Sequence, residues 1–347
     1  MSIIYRLAVA FFRLILSIFF REVAERGSHF IPSHGPGKLI LMSSYICSSS
    51  SFQPSIQNLN VKFVDPLILF STCKRRIGFL IAAASMKRRI IGFFARLLEA
   101  IPVCRPCDVS HKGSGTISID PANSCRVVGR NTQFKQEVKD DCCLVLKPEH
   151  SLHIERVVDD HEILLKKPCS IKFLNAEYKI MPIIDQSAVY ESVHEILRKG
   201  GAIGIFPEGG SHDRGQMLPL KAGVTIMALG TMAKHPNVSI KIIPCGLNYF
   251  HPDQFRSRAM IEYGKPFEID AELVEEYKKG GDVRREACSK LLKIIHDRLW
   301  GVTINVPDPE TLQVIQATRR LYKPAGKQLT SFQLLELTRR FCKVLLF

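Results

Sequence analysis

The sequence predicts an α/β protein: a mixed sheet flanked by helices, with a β-rich insertion and a helical C-terminal tail. Three observations predict it. From Val189 to Tyr263 a helical face, an apolar run, a second helix and two more apolar runs follow one another in the order that builds a layered sheet. From Gly113 to Ile183, short runs of Val, Ile, Thr and Leu are separated by Asp, Asn, Gly and Pro, which describes β-rich structure. From Ala271 onward the pattern is mostly helical. The expected organisation is an N-terminal membrane-associating helix at 1–30, a main domain at 31–270 with the β-rich insertion at about 107–183, and a helical tail at 271–347.

Taken in order, Ile3 to Phe20 is apolar apart from Arg6 and Arg13, which lie two helical turns apart and project from one side. A run of about 18 residues meets the lower limit for crossing a bilayer, but each arginine inside it costs a few kcal/mol, so an interfacial helix is expected. Lys38 to Met42 reads as a buried strand after the turn His34-Gly-Pro-Gly37. Ser43 to Asn60 holds a serine run with Gln and Asn in place of periodic apolar residues, and reads as a long loop. Phe63 to Phe70 restarts an ordered pattern. Between Ile77 and Leu98 apolar residues alternate with Lys87-Arg-Arg89 and Arg96, as expected of helices lying on an anionic surface. Val189, Val193, Ile196 and Leu197 mark one helix face that stops at Gly200-Gly201. A strand at Ala202–Phe206, a helix at Leu220–Lys234 and strands at Val238–Cys245 and Arg258–Tyr263 complete the domain.

Charge narrows the partners. In 347 residues, 48 Lys plus Arg face 33 Asp plus Glu, a net charge of +15. Anionic partners follow: phosphorylated small molecules or a membrane surface. Nucleic acid is not expected, because no zinc-finger spacing, RNP-type aromatic strand or basic helix beside heptads is present. The odd count of 11 cysteines in a long chain argues for reduced thiols rather than a disulfide framework. Cys104 and Cys107 have ligand-like spacing, but no second such pair follows, so no metal is expected.

The densest chemistry lies in Phe206-Pro-Glu-Gly-Gly-Ser-His-Asp-Arg214, between a strand and a helix start. Two glycines let backbone pass close to a ligand, and a helix start offers free N–H groups to phosphate oxygens. With this stretch the sequence resembles the glycerol-phosphate acyltransferase (PlsC-like) superfamily, in its fungal glycerol-3-phosphate / dihydroxyacetone-phosphate branch. Phe93-Phe-Ala-Arg-Leu-Leu-Glu-Ala-Ile-Pro-Val-Cys-Arg105-Pro resembles the family's second block, and Ile243-Pro-Cys-Gly-Leu-Asn-Tyr-Phe-His251 through Gly264-Lys-Pro266 its fourth. Glu162-Ile-Leu-Leu-Lys-Lys-Pro168 and Ala317-Thr-Arg-Arg-Leu-Tyr-Lys-Pro324 also match that branch, so the likeness covers nearly the whole chain except residues 43 to 61.

The resemblance implies the acyltransferase fold, and transfer of an acyl group from acyl-CoA to the sn-1 hydroxyl of glycerol 3-phosphate or to dihydroxyacetone phosphate. It implies no cofactor beyond the acyl-CoA co-substrate, contact with membrane phospholipids and a place at the cytosolic face of the endoplasmic reticulum; fungal members of the family usually continue into further membrane spans, so a chain ending at Phe347 reads as C-terminally truncated. It carries Asp65 over as the catalytic aspartate and Arg105 as the acceptor-phosphate ligand. Glu208, Gly209, Gly210, Ser211 and His212 form the acceptor-binding block, with Lys221 adding positive charge. Asn248 and His251 belong to the fourth block, beside Leu247, Tyr249 and Phe250. In the family a histidine four or five residues ahead of the aspartate is the general base. Here that position falls on Asn60 or Leu59, and no histidine lies between His34 and His111. Two readings follow: Ser43–Asn60 is intervening sequence that replaces a short His-bearing turn, or the chain is a catalytically dead relative that keeps lipid and phosphate binding.

Overall fold

The structure is a computed structural model that describes residues 3–32, 38–46, 57–120, 123–138, 142–147, 150–169, 171, 173–209, 216–250, 255–322 and 326–345. The chain opens with helix α1 (Ile3–Phe19), strand β1 (Phe20–Arg26), strand β2 (Lys38–Ile46), helix α2 (Gln57–Thr72) and strand β3 (Ile77–Ala82). Helices α3 (Ala83–Met86) and α4 (Arg89–Leu97) lead to strand β4 (Ile101–Val103). Then come α5 (Pro106–Val109), β5 (His111–Lys112), β6 (Thr116–Ile119), β7 (Arg126–Arg130), α6 (Phe134–Glu137), β8 (Cys142–Lys147), β9 (His150–Val157), β10 (Glu162–Leu165) and β11 (Lys179–Pro182). Helix α7 (Ser187–Arg198), β12 (Ala202–Ile205), α8 (Gly223–Lys234), β13 (Ile240–Tyr249), β14 (Ser257–Tyr263) and β15 (Phe267–Glu268) follow. The tail is α9 (Ala271–Lys278), α10 (Gly281–Val302), α11 (Pro309–Tyr322) and α12 (Ser331–Leu345).

The chain divides into two compact units: Met1–Ile81 with Arg89–Ile101 and Val189–Phe347, and Ala82–Arg88 with Pro102–Ala188. The first is built on a mixed sheet of order β1-β14-β13-β2-β12-β3-β4, with β15 beside β13. Its centre is parallel: Leu39–Met42 of β2 lie opposite Ala202–Ile205 of β12, and Lys38–Ile46 lie opposite Ile240–Asn248 of β13. Strand β14 runs antiparallel to β13. Both faces are covered, as apolar strands of this kind require. One face packs Ile40, Met42, Ile203 and Ile242 against α7, α8, α9 and α10; the other packs Leu39, Leu41, Ile243 and Tyr249 against α1 and α2. The second unit holds the sheet β5-β11-β8-β9-β10-β7-β6, antiparallel through the pairs β10–β7, β10–β9, β11–β8, β6–β7 and β8–β9. It closes on its own core of Ile117, Val127, Phe134, Leu144, Ile163 and Ile180.

The expected α/β architecture with a β-rich second part and a helical tail is observed. Three segments differ from expectation. Ile77–Ala82 forms a strand rather than a helix: Ile77 and Phe79 alternate with less buried neighbours, and β12 supplies backbone partners opposite Ile77–Phe79. The run Phe20–Arg26, rich in helix formers, leaves the helix to pair in parallel with the edge strand β14, so tertiary pairing overrides local propensity. The stretch from Ser43 to Asn60 is not all loop: β2 runs on to Ile46, and α2 begins at Gln57.

Candidate active site

Parallel strands β2, β12 and β13 end at one edge of the sheet, where open α/β sheets place their ligands. After Ile205 the chain makes a turn closed by the Gly209 N–H on the Phe206 carbonyl at 3.0 Å. Gly209 has φ of 70°, a left-handed conformation that costs glycine little, and a Cβ there would stand 2.7 Å from the Lys221 Nζ. The returning limb is tied by the Lys221 N–H to the Pro207 carbonyl at 2.8 Å. Glu208 is buried, and its Oε2 accepts the Leu218 N–H at 3.1 Å, so its carboxylate joins both limbs of the loop.

Asp65 sits in α2, followed at once by Pro66, and is only 3% exposed. The Tyr249 hydroxyl, from the last residue of β13, donates to Asp65 Oδ1. Burial pushes the Asp65 carboxyl up to about 7; the Tyr249 hydrogen bond opposes this, and the negative charge of Glu208 adds to it. On the same face of β2 as Leu39 and Leu41, Ser43 buries a hydroxyl that has no hydrogen-bond partner among the described residues. The site is thus a carboxyl poised near neutrality, a second carboxylate and an unsatisfied hydroxyl at the ends of the central strands.

Of the residues expected from sequence, Asp65 and Glu208 come close enough for their charges to interact, and Gly209 and Lys221 shape the loop that carries Glu208. Asn248 does not join them. Side chains alternate along β13, so Asn248 points away from the Tyr249 face and lines a small cavity with Phe250, Ile304, Leu312 and Arg319. Its Nδ2 is buried there without a partner among the described residues. Arg105 belongs to the second unit, where its guanidinium grips Asp108 through two hydrogen bonds of 2.8 and 2.7 Å. Gly210, Ser211, His212 and His251 lie outside the described residues, as do the side chains of Leu59 and Asn60. Sequence reasoning places Tyr249 only as an apolar neighbour of Asn248 and gives it no role in the site. A signal existed, since it ends an apolar strand on the face opposite Asn248. Among the described residues no group of three or more His, Cys, Asp or Glu could hold a metal ion.

Comparison with known proteins adds the family. Residues 178–248 match the family model described as Acyltransferase. The chain is 41% identical over 334 residues to glycerol-3-phosphate O-acyltransferase 1 of Saccharomyces cerevisiae, covering 92% of this chain and 42% of that protein. It is 35% identical over 369 residues to glycerol-3-phosphate O-acyltransferase 2 of the same yeast, covering 97% and 47%. An uncharacterized acyltransferase of Schizosaccharomyces pombe is 40% identical over 352 residues, covering 98% and 50%. The chain therefore spans about half the length of the curated relatives it matches. A solved structure, the 1-acyl-sn-glycerophosphate acyltransferase of Thermotoga maritima, aligns with a TM-score of 0.41 and 10% identity over 85% of this chain and 79% of that one. The chain is thus similar along nearly its whole length to the yeast glycerol-3-phosphate O-acyltransferases, and its segment from β11 to the end of β13 carries the acyltransferase family match.

Proposed function

We propose that this chain transfers an acyl group from acyl-CoA to the sn-1 hydroxyl of glycerol 3-phosphate or to dihydroxyacetone phosphate. The observation that carries the reading is the buried Asp65–Tyr249 pair beside Glu208 at the ends of the central strands, in a chain whose relatives are named for this reaction. In the step, the acceptor hydroxyl oxygen attacks the thioester carbonyl, its proton passes to a base, and the C–S bond breaks to release coenzyme A as thiolate. No histidine precedes Asp65 at the family spacing, so the proton falls to another group. A base works best with a pKa near the operating pH, and the Asp65 carboxyl, held at about 7, meets that condition. The Tyr249 hydroxyl fixes its orientation. A carboxyl that burial restrains is a poorer base than a positioned imidazole, so turnover falls below that of a His-bearing relative by up to the about 10²- to 10⁴-fold that a general base usually contributes.

A place on the cytosolic face of a membrane, the endoplasmic reticulum by resemblance, is part of the proposal. Tyr5, Ala8, Phe12 and Leu16 of α1 are buried, while Ile3, Ile4, Leu7, Leu14 and Ile18 on its other side are more than half exposed or close to it. Ile90 and Phe93 of α4 extend that apolar surface, and Arg13 is tied to the Ser71 carbonyl rather than facing lipid. No helix of the described residues is long and apolar enough to cross a membrane, so α1 would lie in the interface.

The test is acceptor-dependent release of coenzyme A thiol from acyl-CoA, with the lipid product identified by mass spectrometry. Product that requires the acceptor supports the reading. Saturable acyl-CoA binding with no product at any enzyme concentration overturns it in favour of the second reading, a lipid- and phosphate-binding relative without turnover, which the missing histidine favours.

A further inference from the structure

The first unit carries a cationic cavity away from the Asp65 face of the sheet. It measures about 370 Å³ and is lined by Arg21 of β1, Arg256 and Arg258 at the start of β14, and Arg319 and Arg320 near the end of α11. Its remaining walls come from Phe250, Ser257, the segment that enters α12 and Leu334 of that helix. Among the described residues no Asp or Glu lines it. Five guanidiniums around one hollow repel one another, and the described residues supply little to balance them. Arg258 is the one of the five with an ion pair to a described residue, Nε to Glu22 Oε2 at 3.3 Å, and it also donates to the Leu329 carbonyl at 2.7 Å.

Arg319 is the most telling member. It is 6% exposed, and its Nη1 donates to the Thr338 hydroxyl at 2.9 Å, with its guanidinium 5.8 Å from the Phe250 ring centre. No carboxylate of the described residues lies within ion-pair distance. A buried cation without a counter-charge is costly, and such groups are paired in folded proteins. Burial holds its pKa below the usual arginine value, with the neighbouring charge of Arg320 acting in the same direction. Arg256 is held into the cavity wall by its own backbone: φ is 57°, a left-handed conformation unfavourable for arginine, pinned by its N–H on the Phe19 carbonyl at 2.9 Å. A phosphate monoester supplies what is missing, since its oxygens accept the paired N–H groups of several guanidiniums at once.

We propose that this arginine-lined cavity binds a phosphate-bearing ligand at a site separate from the Asp65 centre. The inference goes beyond acyl transfer and stands whether or not the chain turns over. The same chemistry occurs in two sources, the phosphates of a nucleotide-type carrier and the phosphomonoester headgroup of an anionic lipid, and the experiment separates them. The full chain is titrated with adenosine 3′,5′-bisphosphate by calorimetry, and sedimented with phosphatidylcholine vesicles with and without phosphatidate. Each measurement is repeated on the double variant R256A/R320A, whose two side chains are exposed and whose loss leaves Arg319 and its Thr338 contact in place. The variant K278A/R285A, which removes the same charge from α9 and α10, is the control. The proposal expects binding of at least one probe, weakened at least tenfold in R256A/R320A and unchanged in the control. Bisphosphate binding assigns the nucleotide-type source; phosphatidate-dependent sedimentation alone assigns the lipid. Absence of binding to both probes, or equal weakening in both double variants, overturns the proposal.

Discussion

Replacing Asp65 by Asn isolates the energetics of the site, because the amide keeps an oxygen for the Tyr249 hydroxyl but cannot ionise. A carboxyl carried from its ordinary 3.8 to about 7 makes ionisation in the folded chain cost roughly 4 kcal/mol. The sign follows from linkage: between these pH values the folded protein holds a proton that the unfolded chain has released. The contribution of Asp65 to stability is therefore fullest below about pH 4, falls as pH rises, and levels off above pH 7. In D65N this dependence is gone. Urea unfolding of wild type and variant at a series of pH values gives two stability curves, and their difference cancels every other titrating group. The stability of D65N relative to wild type should climb by up to roughly 4 kcal/mol between pH 4 and 7.5, with most of the climb complete by pH 7. A difference that stays constant across this range would refute the burial argument, and with it the assignment of Asp65 as a base matched to neutral pH.

Further predictions follow from the same structure. His194 is buried with neither ring nitrogen hydrogen-bonded to a described residue, and burial, with Lys234 next, lowers its pKa; its contribution is present above the ordinary value of about 6.5 and lost as pH falls. H194L should flatten the acid-side loss of stability in the same unfolding series. Arg339 grips Glu262 through bonds of 3.2 and 2.6 Å and also donates to the Val302 carbonyl, which fastens α12 to β14. R339M should cost about 3 kcal/mol, the low end for breaking a buried pair because Arg26 still reaches Glu262 at 3.4 Å, and hydrogen exchange should show α12 opening first. G209A forces a left-handed alanine, which costs about 1 kcal/mol, against the Lys221 side chain; it should lower acyl transfer and lower the thermal unfolding midpoint by only about 2 to 4 °C.

Much of this architecture was legible because period and punctuation agreed. Val189, Val193 and Leu197 gave a helix face that ends at Gly200, where φ is 80°, and the apolar runs of β12, β13 and β14 are continuous and separated by turn residues. Ile77–Ala82 was misread because a six-residue apolar run has no period long enough to separate strand from helix, and its pairing with β12 spans more than 120 residues. Asp65 and Glu208 were found through motif likeness, yet their shared environment was not legible: 143 positions separate them, and only the parallel pairing of β2, β12 and β13 brings their chain segments to one edge. The same folding put Asn248 on the opposite face from its neighbour Tyr249, a division that alternation along a strand predicts once the strand is recognised. The arginine cavity was invisible for a related reason. Its residues come from β1, β14 and α11, and nothing local to Arg21 or Arg319 marks them as neighbours.

The measurement that bears most directly on the central claim is the pH dependence of acyl transfer from acyl-CoA to glycerol 3-phosphate, by wild type and D65N, with the acylated product quantified. The account predicts a low but acceptor-dependent wild-type rate that rises through an inflection near pH 7, and no such component in D65N. Product formed equally by both proteins, or a wild-type rate that does not change across pH 7, would contradict it.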